Sequence, residues 1–175
     1  VDEAVTAPAW SLYKPERARS LAQRAVDTTG LGRVDSKIIK NQRKTFGALR
    51  DLLRVKTVGV IEEIPERGLV KYAKPVGVVA AITPSTNPSA TPVNKAMFAI
   101  KGRNAIIIVP SPSGYAVTSE TVALMRAELE KIGLPADLVL VPDRPPSKDL
   151  TAEIMRQADL VVATGSQSNV RAAYR

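Results

Sequence analysis

No cysteine and no histidine occur among the 175 residues. The first absence excludes disulfides and thiolate chemistry within this chain. The second removes the commonest general base and the commonest metal ligand, and no metal site is expected. Aromatic residues make up 4% of the chain, so the core must be aliphatic. Long apolar runs are missing too: the longest, Val76–Ile82 and Ile106–Val109, fall far short of the ~18–20 residues a membrane span needs. Nor is there a basic-plus-apolar start with a small-residue cleavage site. A cytoplasmic location without a membrane partner is the expectation.

What is present reads as globular. Hydrophobic residues account for 45% and charged residues for 24%, a balance that disordered chains lack. The length suffices for one domain with a real core. The net charge is +8 and the pI near 9.9, which favours polyanionic partners: nucleic acid, acidic lipid or phosphate-bearing cofactors. A solvated basic surface explains the same charge. The interleaved aromatics that single-strand binding would want are missing, so no nucleic-acid partner is expected.

Periodicity divides the chain into a helical part and an alternating part. Residues 3–13 favour a helix that Pro8 interrupts. Pro15 suits the first turn of a helix to about Thr28, ended by Gly30 and Gly32. Asp35 can cap a long helix to about Arg54. Ile38, Ile39, Phe46, Leu49, Leu52 and Leu53 give that helix its apolar face. Lys37, Lys40 and Lys44 form a charged row, which reads as its wet side. Thr57–Ile64 and Leu69–Ala73 read as a hairpin around Pro65–Gly68. Val76–Ile82 is apolar on both faces, as a buried parallel strand would be. Helices at about Pro92–Lys101, Ala116–Ile132 and Lys148–Arg156 then alternate with strands at Ala105–Val109, Leu138–Val141 and Leu160–Ala163. A last helix starts near Ser166. Such alternation predicts an α/β fold with parallel βαβ units, whose ligands bind at the carboxyl ends of the strands.

Three loops lie at those ends. The first is Thr83-Pro84-Ser85-Thr86-Asn87-Pro88-Ser89. Its prolines restrict the backbone around Asn87. A carboxamide held there could stabilise an oxyanion, or simply cap the next helix or make an Asx-turn. In the second, Pro110-Ser111-Pro112-Ser113-Gly114, small residues allow close approach to a phosphate or ribose; an ordinary strand-to-helix turn fits equally. In the third, Ala163-Thr164-Gly165-Ser166, Gly165 permits a tight turn and Ser166 can cap a helix, which together make an anion site. No G-x-G-x-x-G fingerprint or P-loop is present.

As an ordered set these loops resemble the aldehyde dehydrogenase superfamily, and most of all its CoA-acylating branch. The resemblance rests on three segments. KPVGVVAAITPSTNPSATPVNKAMFAIKGRNAIIIVPSPSG runs from Lys74 to Gly114, ADLVVATGSQSNVRAAY from Ala158 to Tyr174, and AVDTTGLGRVDSKIIKN from Ala25 to Asn41. Together they span nearly the whole chain, and the set is far more specific than any one loop. Non-acylating members carry Lys before the Pro and Glu after the Ser of the second loop; here these are Val109 and Pro112. That departure, and Thr86 before Asn87, are similar to the acylating branch.

The resemblance implies an NAD(P)-binding Rossmann-like parallel sheet over 75–175, incomplete here. It also implies an N-terminal helical part over 1–56 and an oligomerisation hairpin over 57–74. Asn87 falls on the family's oxyanion donor. Thr83, Pro84 and Ser85, Pro110, Ser111 and Pro112, and Thr164, Gly165 and Ser166 fall on its cofactor loops. The reaction implied is oxidation of a small aldehyde by NAD or NADP through a Cys thioester, with coenzyme A as acyl acceptor. That Cys, and with it the catalytic domain, lies outside these residues. The chain is therefore expected to be the inactive first part of a homo-oligomeric enzyme, a dimer or tetramer. The basic balance leans towards an anionic aldehyde such as sulfoacetaldehyde. Two other readings stay open: a semialdehyde dehydrogenase or reductase of the same fold without coenzyme A, and a stand-alone nucleotide-binding module.

Overall fold

The computed structural model describes residues 1–174; Arg175, the end of the third expected part, lies outside the described residues. Helix α1 (Asp2–Tyr13) runs through Pro8 instead of stopping there. A proline returns no N–H to the turn before it, but packing outweighs that loss: Val5, Ala9 and Leu12 are fully buried. Helix α2 (Pro15–Thr29) begins on its proline and ends on Gly30 at φ 65°, the left-handed value a glycine supplies without strain.

The long helix expected from Asp35 is in fact three pieces. α3 (Val34–Ile39) passes through a π-helical turn at Lys40–Lys44 into α4 (Thr45–Leu53). Asp35 lies in the first turn of α3, and no side chain caps that helix. A π turn inserts an extra residue into the helical phase, so the expected apolar face is broken. Leu49 is 5% exposed while Ile39 is 51% exposed.

Strands β1 (Gly59–Ile64) and β2 (Leu69–Ala73) form the antiparallel hairpin, closed by Gly68 at φ 60°. Four parallel strands then make the main sheet: β3 (Val78–Thr83), β4 (Ala105–Pro110), β5 (Val139–Leu140) and β6 (Leu160–Ala163). Helices α5 (Ala90–Lys101), α6 (Tyr115–Lys131) and α7 (Lys148–Gln157) connect them, and α8 (Gln167–Tyr174) follows β6. The spatial order is β5-β4-β3-β6. After β5 the chain turns back and β6 joins the free edge of β3, which creates a topological switch point between those strands.

One aliphatic core serves the helices and the sheet. Val5 and Leu12 of α1, Leu21 of α2, Val93 and Met97 of α5, and Met125 and Leu129 of α6 pack with Ile106 and Ile108 of β4. Each such side chain contributes about 1.5–3 kcal/mol by leaving water. The amino end of β3 is pinned by two side chains. Asn104 accepts from the Val76 and Gly77 N–H groups at 2.7 and 3.0 Å. Asp159 accepts from the Val78 N–H at 2.7 Å.

Candidate functional site

Strand register decides which loops meet. Thr83 pairs with Pro110 across β3 and β4, and Ile82 pairs with Ala163 across β3 and β6. The three strands therefore end level, and the predicted loops emerge side by side. Backbone bonds continue the ladder into them. The Ser111 N–H donates to the Thr83 carbonyl at 3.1 Å, and the Thr164 N–H to the Ile82 carbonyl at 3.0 Å.

The first two loops also touch through Gly114. A methyl group there would lie 3.1 Å from Ser111 Oγ, 3.2 Å from Pro88 Cβ and 3.7 Å from Ser85 Cα. A side chain there would have to push its neighbours back by a few tenths of an ångström. Two hydroxyls at this edge, Thr83 Oγ1 and Ser111 Oγ, are buried without a hydrogen-bond partner. Unsatisfied buried hydroxyls each carry a penalty of about 1–3 kcal/mol, which a polar ligand would relieve. Pro84 and Ser85 are half-buried beside them, Pro110 is buried and Pro112 is exposed. On the third loop Gly165 and Ser166 are exposed, directly ahead of α8.

Asn87 sits on the first loop with its side chain uncommitted to the helix that follows. The N-cap of α5 is Ser89, and no side chain caps that helix. The backbone carbonyl of Asn87 accepts from the Thr91 N–H at 3.3 Å, while its carboxamide Nδ2 makes only a long 3.5 Å contact with Thr86 Oγ1. The Asx-cap reading of this residue is thus not what the fold uses.

Two lysines and an asparagine complete the neighbourhood, and the sequence concealed all three roles. Lys37 of α3 is buried, and its ammonium donates to the Thr86 carbonyl at 2.7 Å. Burial, and then the neighbouring Lys40 charge, hold its pKa below the ordinary lysine value. Lys40, on the π turn, donates to Asn87 Oδ1 at 3.3 Å. Asn41, 1% exposed, donates to the Ala18 carbonyl at 3.1 Å and accepts from Ser89 Oγ at 2.8 Å. It therefore locks the π turn to the start of α5. Reading the lysine row as the wet side of a helix held for Lys40's exposure but not for Lys37. A polar Asn inside a helix was the only local hint. A groove of about 900 Å³ between α4 and Phe98 shares no residue with the three loops.

A parallel sheet with a switch point and small-residue loops level at its carboxyl edge is the Rossmann-like class of α/β fold. The profile of the aldehyde dehydrogenase family matches residues 16–175. The chain belongs to that family. It is 58% identical over 174 residues to the acylating sulfoacetaldehyde dehydrogenase of Cupriavidus necator, covering 99% of this chain and 35% of that one. It is 45% identical over 159 residues to the acetylating succinate-semialdehyde dehydrogenase of Clostridium kluyveri, covering 91% of this chain and 35% of that one. The crystal structure of an acetylating aldehyde dehydrogenase from Geobacillus thermoglucosidasius superposes with a TM-score of 0.90 at 37% identity, over 99% of this chain and 38% of that one. The chain thus spans about a third of the length of these relatives.

Proposed function

We propose that the full-length protein carrying this chain is an NAD(P)-dependent, CoA-acylating aldehyde dehydrogenase. The observation that supports it most is the placement of Asn87 on the loop that emerges beside the other two, its carboxamide N–H making only a long 3.5 Å contact with Thr86 Oγ1. Bound NAD or NADP would supply a hydride acceptor, and coenzyme A an acyl acceptor. Thr83, Pro84, Ser85, Pro110, Ser111, Pro112, Thr164, Gly165 and Ser166 would hold the nucleotide. The buried hydroxyls of Thr83 and Ser111 and the close approach at Gly114 suit a polar ligand pressed against the backbone. The thiolate nucleophile comes from residues outside this chain, which has no cysteine. As the aldehyde carbon becomes tetrahedral, the Asn87 N–H donates to its oxyanion from a position already fixed by the loop.

The substrate is a short aldehyde bearing an acid group, sulfoacetaldehyde first. The two curated relatives above act, by name, on a sulfonated and a carboxylated aldehyde. In this reading the protein works in the cytoplasm; no helix among the described residues is long and apolar enough to cross a membrane. The hairpin would serve as an oligomerisation element, since Val70 and Tyr72 stand exposed on one face of β2.

The test is spectrophotometric. Full-length protein is given sulfoacetaldehyde with NAD or NADP, with and without coenzyme A, and absorbance of the reduced nucleotide is followed. Reduction that requires coenzyme A supports the reading. Reduction indifferent to coenzyme A points to a non-acylating dehydrogenase of the same fold, and no reduction with any short aldehyde overturns the enzyme.

A further inference from the structure

Lys37 and Lys40 lie three residues apart, on one side of the helix, and both ammonium groups reach the Asn87 loop. Neither forms an ion pair with a carboxylate among the described residues. The acceptors are a backbone carbonyl and a carboxamide oxygen, both neutral. Two like charges on successive turns repel, and one of them is 6% exposed. Two cations with neutral acceptors carry an uncompensated charge, which a nearby anion would balance.

Geometry narrows what that anion is. Lys40 contacts the Oδ1 side of the Asn87 carboxamide. A carboxamide presents its oxygen and its N–H groups from one planar unit, so the cation and the oxyanion donor are separated by the width of a single amide. A ligand that engages both must carry its negative charge within a few bonds of its carbonyl oxygen. The frame is rigid as well. The buried pair Asn41 and Ser89 ties the π turn to the first residues of α5, and Asn41 also holds α2. The Lys40 backbone is thereby anchored beside the loop, and its exposed ammonium reaches Asn87 Oδ1 at 3.3 Å.

We propose that Lys40 is the specificity residue for the acid group of the substrate, binding the sulfonate or carboxylate of a short acidic aldehyde while Asn87 receives the carbonyl oxygen. Lys37 is the positioning residue beneath it, fixing the Thr86 carbonyl and hence the loop. This rests on the reading of Asn87 given above, and it adds what that reading lacks: the group that tells an anionic aldehyde from a neutral one.

The test uses the full-length protein with Lys40→Met and Lys40→Arg. The quantity read is the ratio of kcat/KM for sulfoacetaldehyde to that for acetaldehyde. Lys40→Met should reduce this selectivity by about ten- to a hundredfold, the range expected for one charge-assisted hydrogen bond, with the loss in KM for the anionic substrate. Lys40→Arg should recover most of it. As a readout independent of turnover, 2-hydroxyethanesulfonate should raise the Tm of the wild type and not that of Lys40→Met. An equal loss on both aldehydes, no loss on either, or an unchanged Tm response overturns the assignment. A wild type that turns over aldehydes without preferring the anionic one overturns it too, while leaving the parent activity standing. A wild type inactive on every aldehyde removes the parent activity instead; the sulfonate Tm response then decides the Lys40 site by itself.

Discussion

The ammonium of Lys37 donates to the carbonyl of Thr86 at 2.7 Å, across 49 residues of sequence. A buried cation is thus set against the backbone of the residue immediately before Asn87. Replacing Lys37 with Met leaves that carbonyl without its charged donor and frees the loop. Because the loop serves any aldehyde, kcat should fall about tenfold for sulfoacetaldehyde and acetaldehyde alike. Steady-state kinetics on both substrates distinguish this from the selective effect expected at Lys40.

Asn87→Ala removes the oxyanion donor itself. In the full-length enzyme kcat should fall by about 10²–10³, roughly 2.7–4 kcal/mol, with little change in KM. A drop confined to KM would show that Asn87 binds substrate and does no more.

Gly114→Val places a branched side chain where even a Cβ would sit 3.1 Å from Ser111 Oγ and 3.2 Å from Pro88 Cβ. The two loops must separate, at about 1–3 kcal/mol. The Kd for NAD or NADP, measured by fluorescence quenching, should rise about tenfold. Unchanged nucleotide affinity would detach these loops from cofactor binding.

Gly77 has φ 124°, and a Cβ there would meet Asp159 Oδ2 at 2.1 Å. Gly77→Ala therefore strains the backbone and displaces the carboxylate that accepts from the Val78 N–H. Destabilisation of about 2–4 kcal/mol is expected, read as a fall in Tm of roughly 5–15 °C.

Glu128 of α6 accepts from Arg17 of α2 and from Lys131, both at 2.8 Å. Burial pushes its carboxyl up, but the hydrogen bonds from Lys131 and Arg17 outweigh this and leave its pKa below the ordinary 4.5. A carboxyl whose folded pKa is depressed stabilises the fold above its unfolded value. That stability is lost as pH falls below 4.5 and through the folded value. Glu128→Gln should cost about 1–3 kcal/mol at neutral pH and flatten the acid limb of a Tm–pH profile. An unchanged acid limb would mean that other carboxylates dominate it.

Much of the fold and the position of the candidate loops could be read without coordinates. Strand and helix alternation from Val78 onward follows from β-branched runs separated by amphipathic stretches, and Leu160–Ala163 falls where the sequence places it. Asn87 between two prolines, the small residues after Pro110 and the Thr164–Ser166 turn were visible because loop chemistry is local. The elements that resisted are those where packing overrides propensity. α1 continues through Pro8 because Val5, Ala9 and Leu12 are buried around it. Val141 leaves β5 because only Val139 and Leu140 find partners on β4.

The residue pattern by itself determined the parallel α/β class and the three loops, since each depends on neighbours a few positions apart, and composition alone showed that no cysteine is present. Tertiary structure alone decided that the loops are level, because β6 pairs with β3 across some 80 residues of chain. It also decided the fate of the lysine row. Lys37, Lys40 and Lys44 carry the same charge on one helix, and nothing local distinguishes them. The π turn and the closure of α5 over Asn41 bury Lys37 beneath Thr86 and place Lys40 against Asn87. Burial is a property of what packs from elsewhere in the chain, and a row of like residues cannot disclose it.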